Sequence, residues 1–376
     1  MTRNLEKFSF RSAVPFWCSV GLIPLIWIAA GFGGWGFLLG FFAVWYLVSA
    51  LDVLTGLNLD NADPDTEDAD LFWYRLVTVI WAPLQFVTLF GLLWYSAVSD
   101  LTGWEKIGLF FSMGIISGAI GINYSHELMH QSDRRERMLA DVLLAMVLYS
   151  HFRSEHLLVH HRYVGTPRDA VTARYGEGFY RFFIRVLGEC WTSAFTAERT
   201  KLAKKDLPWY DTSNPFFLYW GLQGAMLILA FILAGRVGLG LFIWQALIAM
   251  GHLELVNYVE HYGLTRKHLG DGKYEHVKPH HSWNAAHRAT NWLLINLQRH
   301  SDHHYKPNRR YPLLQTYSVG DAPQLPYGYG IMTFAAMVPR LWRARMNPRV
   351  RKWREMYYPE ILDWSDYNRG TNPLPR

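Results

Sequence analysis

Residues 12 to 51 carry no charged side chain. At 1.5 Å per helical residue, that run is too long for one crossing of a roughly 30 Å hydrocarbon layer and right for two. Gly31-Phe32-Gly33-Gly34 marks the break. Further uncharged runs extend from Leu76 to Ser99, Ile107 to Ser125, Asn214 to Gly235 and Val237 to Leu253, the last with only His252 as a titratable group. Six runs of spanning length in one chain point to a membrane protein rather than to six buried helices of a soluble one. Expected spans are about 13–30, 35–51, 76–98, 107–125, 214–235 and 237–257. Charge agrees: 18% of positions are charged, against about a quarter in soluble domains. The 17 Trp and 21 Tyr suit headgroup-level belts.

Six spans put both termini on one side, together with segments 123–213 and 258–376. That side holds 34 of the 37 Lys and Arg, so by the positive-inside rule it is the cytoplasm. The net charge of +6 is therefore a matter of topology, and nucleic-acid binding is not needed to explain it. The far-side linkers leave no room for a domain there. Residues 52–70, with Asp52, Asp60, Asp63, Asp65, Glu67, Asp68 and Asp70, read as a solvated acidic loop. Cys18 and Cys190 form no C-x-x-C, which excludes a disulfide framework, a zinc ribbon and thiolate-bound iron within these residues. The N-terminal apolar stretch is too long for a signal peptide. The expected fold is a single all-α integral membrane domain over 1–376: six transmembrane helices under a cytoplasmic, histidine-rich di-iron cap.

The cap is expected because the sixteen histidines cluster. His126-Glu-Leu-Met-His130 leaves the fourth span. Glu155-His156-Leu-Leu-Val-His160-His161 follows, and Leu297-Gln-Arg-His300-Ser-Asp-His303-His304 lies far downstream. Asn257-Tyr-Val-Glu260-His261-Tyr-Gly263 leaves the sixth span. Histidines four apart share a helical face and can bind one ion, as 126/130 and 156/160 would. An adjacent histidine, 161 or 304, points about 100° away, toward a second ion. The repetition suggests a dinuclear centre, and redox chemistry at a lipid boundary without thiolates favours iron. Glu127, Glu155, Glu260 and Asp302 each adjoin a candidate ligand and are expected to accept the outer ring N–H of a histidine. His151, His252, His268, His276, His280, His281 and His287 read as ordinary structural or surface histidines. Small residues Gly108, Gly114, Gly118 and Gly121 in the fourth span favour close helix approach over an open channel.

Two competing classes deserve comparison. His126-Glu-Leu-Met-His130 matches the H-E-x-x-H of zinc proteases, but that reading leaves the other seven clustered histidines without a role. A metal transporter would place ionisable groups near the bilayer midplane, where these runs are bare.

At these boxes the chain resembles the integral-membrane alkane monooxygenases, within the wider group of membrane fatty-acid desaturases and hydroxylases. The strings L-Q-R-H-S-D-H-H at 297–304 and N-Y-V-E-H-Y-G-L at 257–264 carry the narrower likeness. Gln131, where the family has Lys, and Val159, where it has Gly, depart from the pattern without removing a ligand. The resemblance implies nine ligands: His126, His130, His156, His160, His161, His261, His300, His303 and His304. It implies two iron ions, O2 as co-substrate and hydroxylation of the terminal carbon of an n-alkane. It also implies electrons from rubredoxin, separate or fused outside these residues, with its reductase, and a place in the inner membrane. Acyl desaturation is the nearest alternative chemistry. The basic run Arg340, Arg343, Arg345, Arg349, Arg351, Lys352 and Arg354 fits either an acidic carrier or anionic lipid.

Overall fold

The computed structural model describes residues 8–369. Five helical segments are long and apolar enough to cross a membrane: Phe10–Phe32, Gly34–Thr55, Asp68–Val98, Gly103–Met129 and Pro215–His261. The last runs 47 residues, but Ala234 (φ −142°, ψ 19°) and Gly235 (φ 59°, ψ −150°) leave helical geometry inside it. Gly235 supplies the positive φ that most residues resist. Beyond it the chain lies so close to the preceding turn that a Cβ on Gly238 would meet Ala234 Cβ at 2.3 Å.

Local signals set the ends. Asn214 caps the long segment by accepting from Phe216 N–H at 3.1 Å, with Pro215 in the first turn, where its missing N–H costs nothing. Glu105 ties two helices together at one end of the bundle. It accepts from Thr102 N–H at 2.7 Å and from Gly34 N–H at 2.5 Å.

The Gly103–Met129 helix is the most buried of the five and packs on the second half of Pro215–His261. The expected close approach is found. A Cβ on Gly114 would lie 2.7 Å from Gln245 C=O, and one on Gly118 would lie 2.8 Å from Ala249 C=O. Gly121 faces Gln85 instead, and Gly108 faces the Phe37 ring.

The histidine-bearing segments and two further helices, Arg134–Met146 and Phe179–Ala203, gather at one end of the bundle. Among the described residues, strand content is one short antiparallel pair, His268–Gly270 with Lys273–Tyr274. The acidic stretch 52–70 is largely exposed, as expected, with Asp52 the exception and several ties to the cap. Asp52 is buried and accepts from Thr290 N–H at 2.8 Å. Arg299 donates to Asp60 C=O at 2.9 Å, and Asp68 pairs with Arg310 at 2.6 Å. Arg310 also reaches buried Glu136 at 3.0 Å. The loop straps the cap to the bundle, because its carboxylates and carbonyls are what compensate those guanidinium groups.

Candidate metal centre

The structure brings together all nine box histidines, in two groups whose candidate donor atoms lie within 4.8 Å of one another: His126, His130, His156, His161 and His303; and His160, His261, His300 and His304. The rings are buried or nearly so. The groups adjoin, with the His161 and His304 rings 4.8 Å apart.

Backbone geometry explains the division. His126 and His130 share a face at the end of the Gly103–Met129 helix, and His300 and His304 share one in His300–Tyr305. The middle box does not obey four-residue spacing. His156–His160 is a π turn, closed by His161 N–H donating to His156 C=O. The wider turn places His156 with His161, their Nε2 atoms 2.9 Å apart, and sends His160 to the other group. The expected 156/160 pairing on one ion is thus replaced by 156/161, the adjustment that π turns make at functional sites.

The nitrogen separations fit a shared ion. Two nitrogens bound at roughly 2.1 Å and at right angles lie about 3.0 Å apart. The Nε2 atoms of His130, His156 and His161 are separated by 3.0, 3.2 and 2.9 Å. His304 Nε2 lies 3.2, 3.1 and 3.0 Å from those of His160, His261 and His300. One ring nitrogen offers a single lone pair or a single proton, so three hydrogen bonds cannot account for the position of His304. A cation among the four can. Burial holds His130 down to about 3 and keeps His156, His161, His300, His303 and His304 well below the ordinary imidazole range. These rings are neutral, as ligands must be.

The outer shell differs from expectation. Asp169, which adjoins no histidine in sequence, accepts from His160 Nδ1 at 3.0 Å and from Thr172 Oγ1 at 2.6 Å. Its position, nine residues past His160 on the same loop, is the only hint in the sequence. His261 Nδ1 donates to Asn257 C=O at 2.9 Å. Of the four carboxylates assigned to this role, none takes an outer N–H. Glu127 accepts from Gln131 at 3.0 Å, and Asp302 serves Arg309 and Tyr317. Glu155 is fully buried with both oxygens free of hydrogen bonds. Burial, then the charges of Asp169 and Glu254, push it well above the carboxylate range. Glu260 lies on the inner side, 3.3 Å from His300 Nε2, with its other oxygen accepting from Tyr329 at 2.8 Å. Adjacency in sequence failed because a helix turns neighbouring side chains about 100° apart.

A third set, Glu275, His280 and His281, also converges. Here hydrogen bonding suffices. Lys278 N–H donates to His281 Nδ1 at 2.9 Å, which puts the His281 proton on Nε2, 2.7 Å from Tyr358 Oη. His280 Nε2 meets the same oxygen at 3.1 Å, and Tyr358 donates to Glu275. A metal on His281 Nε2 would need a proton on Nδ1, facing the Lys278 N–H. Hydrogen bonding accounts for His280 and His281 without an ion.

A narrow cavity of about 30 Å³ borders both groups, lined by His126, His156 and His300 and by Ala119, Ile122, Leu253, Val256 and Leu294. An apolar chamber therefore opens on the clustered nitrogens.

Fold and site together define a helical, membrane-type protein with a buried polyhistidine centre for metal. The sequence matches the fatty acid desaturase family over residues 102–336. It is 39% identical to alkane 1-monooxygenase 2 of Pseudomonas aeruginosa over 82% of this chain and 83% of that protein. It is 38% identical to alkane 1-monooxygenase 1 of the same organism, over 83% and 82%. With alkane 1-monooxygenase of Pseudomonas putida the identity is 34%, over 93% and 86%. The chain belongs to the fatty acid desaturase family and, within it, to the alkane 1-monooxygenases.

Proposed function

We propose that the chain hydroxylates the terminal carbon of n-alkanes to primary alcohols, taking O2 and two electrons per turnover. The observation that carries this is the apolar cavity lined by His126, His156 and His300, three of the nine clustered histidines, in a chain akin to alkane 1-monooxygenases. Two irons fit the donor sets. His126, His130, His156, His161 and His303 would hold one, and His160, His261, His300 and His304 the other, with Glu260 facing the second as an oxygen donor. Bound iron would supply reductive activation of O2.

The chain's own residues do the rest. Chamber walls take alkane from lipid, each buried CH₂ contributing about 0.8 kcal/mol. Terminal selectivity would then be positional, set by which carbon the walls bring to His126, His156 and His300. Asp169 orients the His160 ring.

The proposed topology is supported by length. The Pro215–His261 segment spans roughly 70 Å, about twice a bilayer core, and breaks at Ala234-Gly235. It counts as two spans, giving six in one domain over 1–376. With the basic excess, the proposed arrangement has the metal centre and both termini on the cytoplasmic side of the inner membrane.

Electrons would come from rubredoxin and its reductase, since neither cysteine can form an iron–thiolate site here. The docking face is the Pro339–Tyr357 helix, where Arg349, Arg351 and Lys352 are exposed. Arg354 does not belong to it, being buried and bonded to Asn368 at 2.6 Å. Purified protein supplied with rubredoxin, its reductase and NADH should convert octane to 1-octanol. Turnover of an acyl substrate to an alkene, with none of octane, would favour desaturation instead.

A further inference from the structure

His252 lies in a helix long and apolar enough to cross a bilayer and is 7% exposed. Its Nδ1 is buried without a hydrogen-bond partner. Its ring borders two chambers: the one that opens on the metal centre, and a neighbour lined by Trp45, Thr290, Tyr329 and Thr333. The two share Ala119, Val256 and Leu294, so His252 stands where they meet.

Other polar groups there are already engaged. Thr290 bonds Asp52, Tyr329 donates to Glu260 at 2.8 Å, and Thr333 donates to Tyr329 C=O at 2.7 Å and accepts from Trp45 at 3.1 Å. Asn123 donates to Leu294 C=O at 2.7 Å, and Asn257 to Glu254 at 3.1 Å. Trp45 meets His252 through its ring face, centroids 5.6 Å apart and planes 36° from parallel, so it offers no hydrogen bond. An imidazole held in an apolar wall without a partner is costly unless a guest supplies one.

We propose that His252 is a substrate-positioning residue that hydrogen-bonds an oxygen atom on the chain of the substrate. The chamber then takes, besides plain alkanes, chains bearing an ether or hydroxyl oxygen a fixed distance from the methyl group that is hydroxylated. This rests on the functional reading above. Along the helix His252 is roughly 13 Å from His261, so the oxygen belongs well back from the reacting end. A resident water is the other partner such a nitrogen could hold. It would favour no position of the oxygen.

The test uses iron-loaded enzyme with dodecane and with the ethers in which one CH₂ of dodecane is replaced by oxygen at successive positions. Wild type should prefer one or two adjacent positions, with kcat/KM about tenfold above the other ethers, one net hydrogen bond's worth. His252→Gln, which can still donate, should keep that position profile. His252→Leu, at matched iron content, should flatten it and lower the ratio of the best ether to dodecane about tenfold. A flat profile in wild type with dodecane still hydroxylated overturns this proposal alone, and so does a peak that survives in His252→Leu. Failure of wild type to hydroxylate any member of the set overturns the functional reading, and this proposal with it.

Discussion

His160 and Asp169 lie 3.0 Å apart, Nδ1 to Oδ2, both almost fully buried. Thr172 Oγ1 donates to the same carboxylate oxygen, and Val171 N–H reaches the other at 3.1 Å. The carboxylate is thus fixed before any ion binds, and it fixes the His160 ring so that Nε2 faces His304. Asp169→Asn should weaken metal binding about 10- to 100-fold, the usual effect of losing such a partner. Competition with a chelator measures it. Affinity equal to wild type would show that His160 needs no orienting group.

The two histidine sets should separate cleanly under mutation. His280→Ala and His281→Ala should retain full metal content, because Tyr358, Glu275 and Lys278 satisfy those rings without an ion. His304→Ala should lose most of the metal of its group, since its Nε2 faces three others. Metal analysis of the purified variants decides the matter, and metal loss in His281→Ala would move the boundary of the centre.

Acid should loosen the centre. The buried histidines have lowered folded-state values, His130 reaching about 3, whereas an unfolded histidine titrates near 6.5. Between those limits the unfolded chain binds more protons, so stability is full above about pH 6.5 and falls as pH drops below it. Protons also compete with metal for the same nitrogens. Thermal unfolding of metal-free protein in detergent should therefore shift down between pH 7.5 and 5. An unchanged midpoint would mean that these rings are not buried in the metal-free fold.

The glycines of the Gly103–Met129 helix make a steric prediction. Gly114→Val would push a side chain into Gln245 C=O and the Ile248 side chain. Backbone cannot move aside cheaply, so a cost of about 1–3 kcal/mol is expected, the range for overpacked cores. Gly103→Ala, where no neighbour lies within 4 Å, is the control. Equal melting temperatures for the two variants would contradict the packing.

Much of this architecture could be read from the chain because its physics is local. Uncharged runs mark the apolar helices, and the histidine boxes name all nine clustered residues. What eluded the sequence is what depends on turns and on distant segments. The π turn at His156–His160 reassigns a histidine between groups, and nothing in Leu157, Leu158 or Val159 announces it. Asp169 is found only once its loop folds back on His160. Asp52, read as solvated, is buried because Thr290, far along the chain, needs an acceptor. The open Nδ1 of His252 shows only when the walls around it are assembled.

The central claim is that two ions sit among nine histidines. Metal analysis of the purified, detergent-solubilised protein tests it most directly. The account expects close to two irons per chain, falling sharply in both His156→Ala and His304→Ala, which lie in different groups. One zinc per chain, unaffected by His304→Ala, would contradict it.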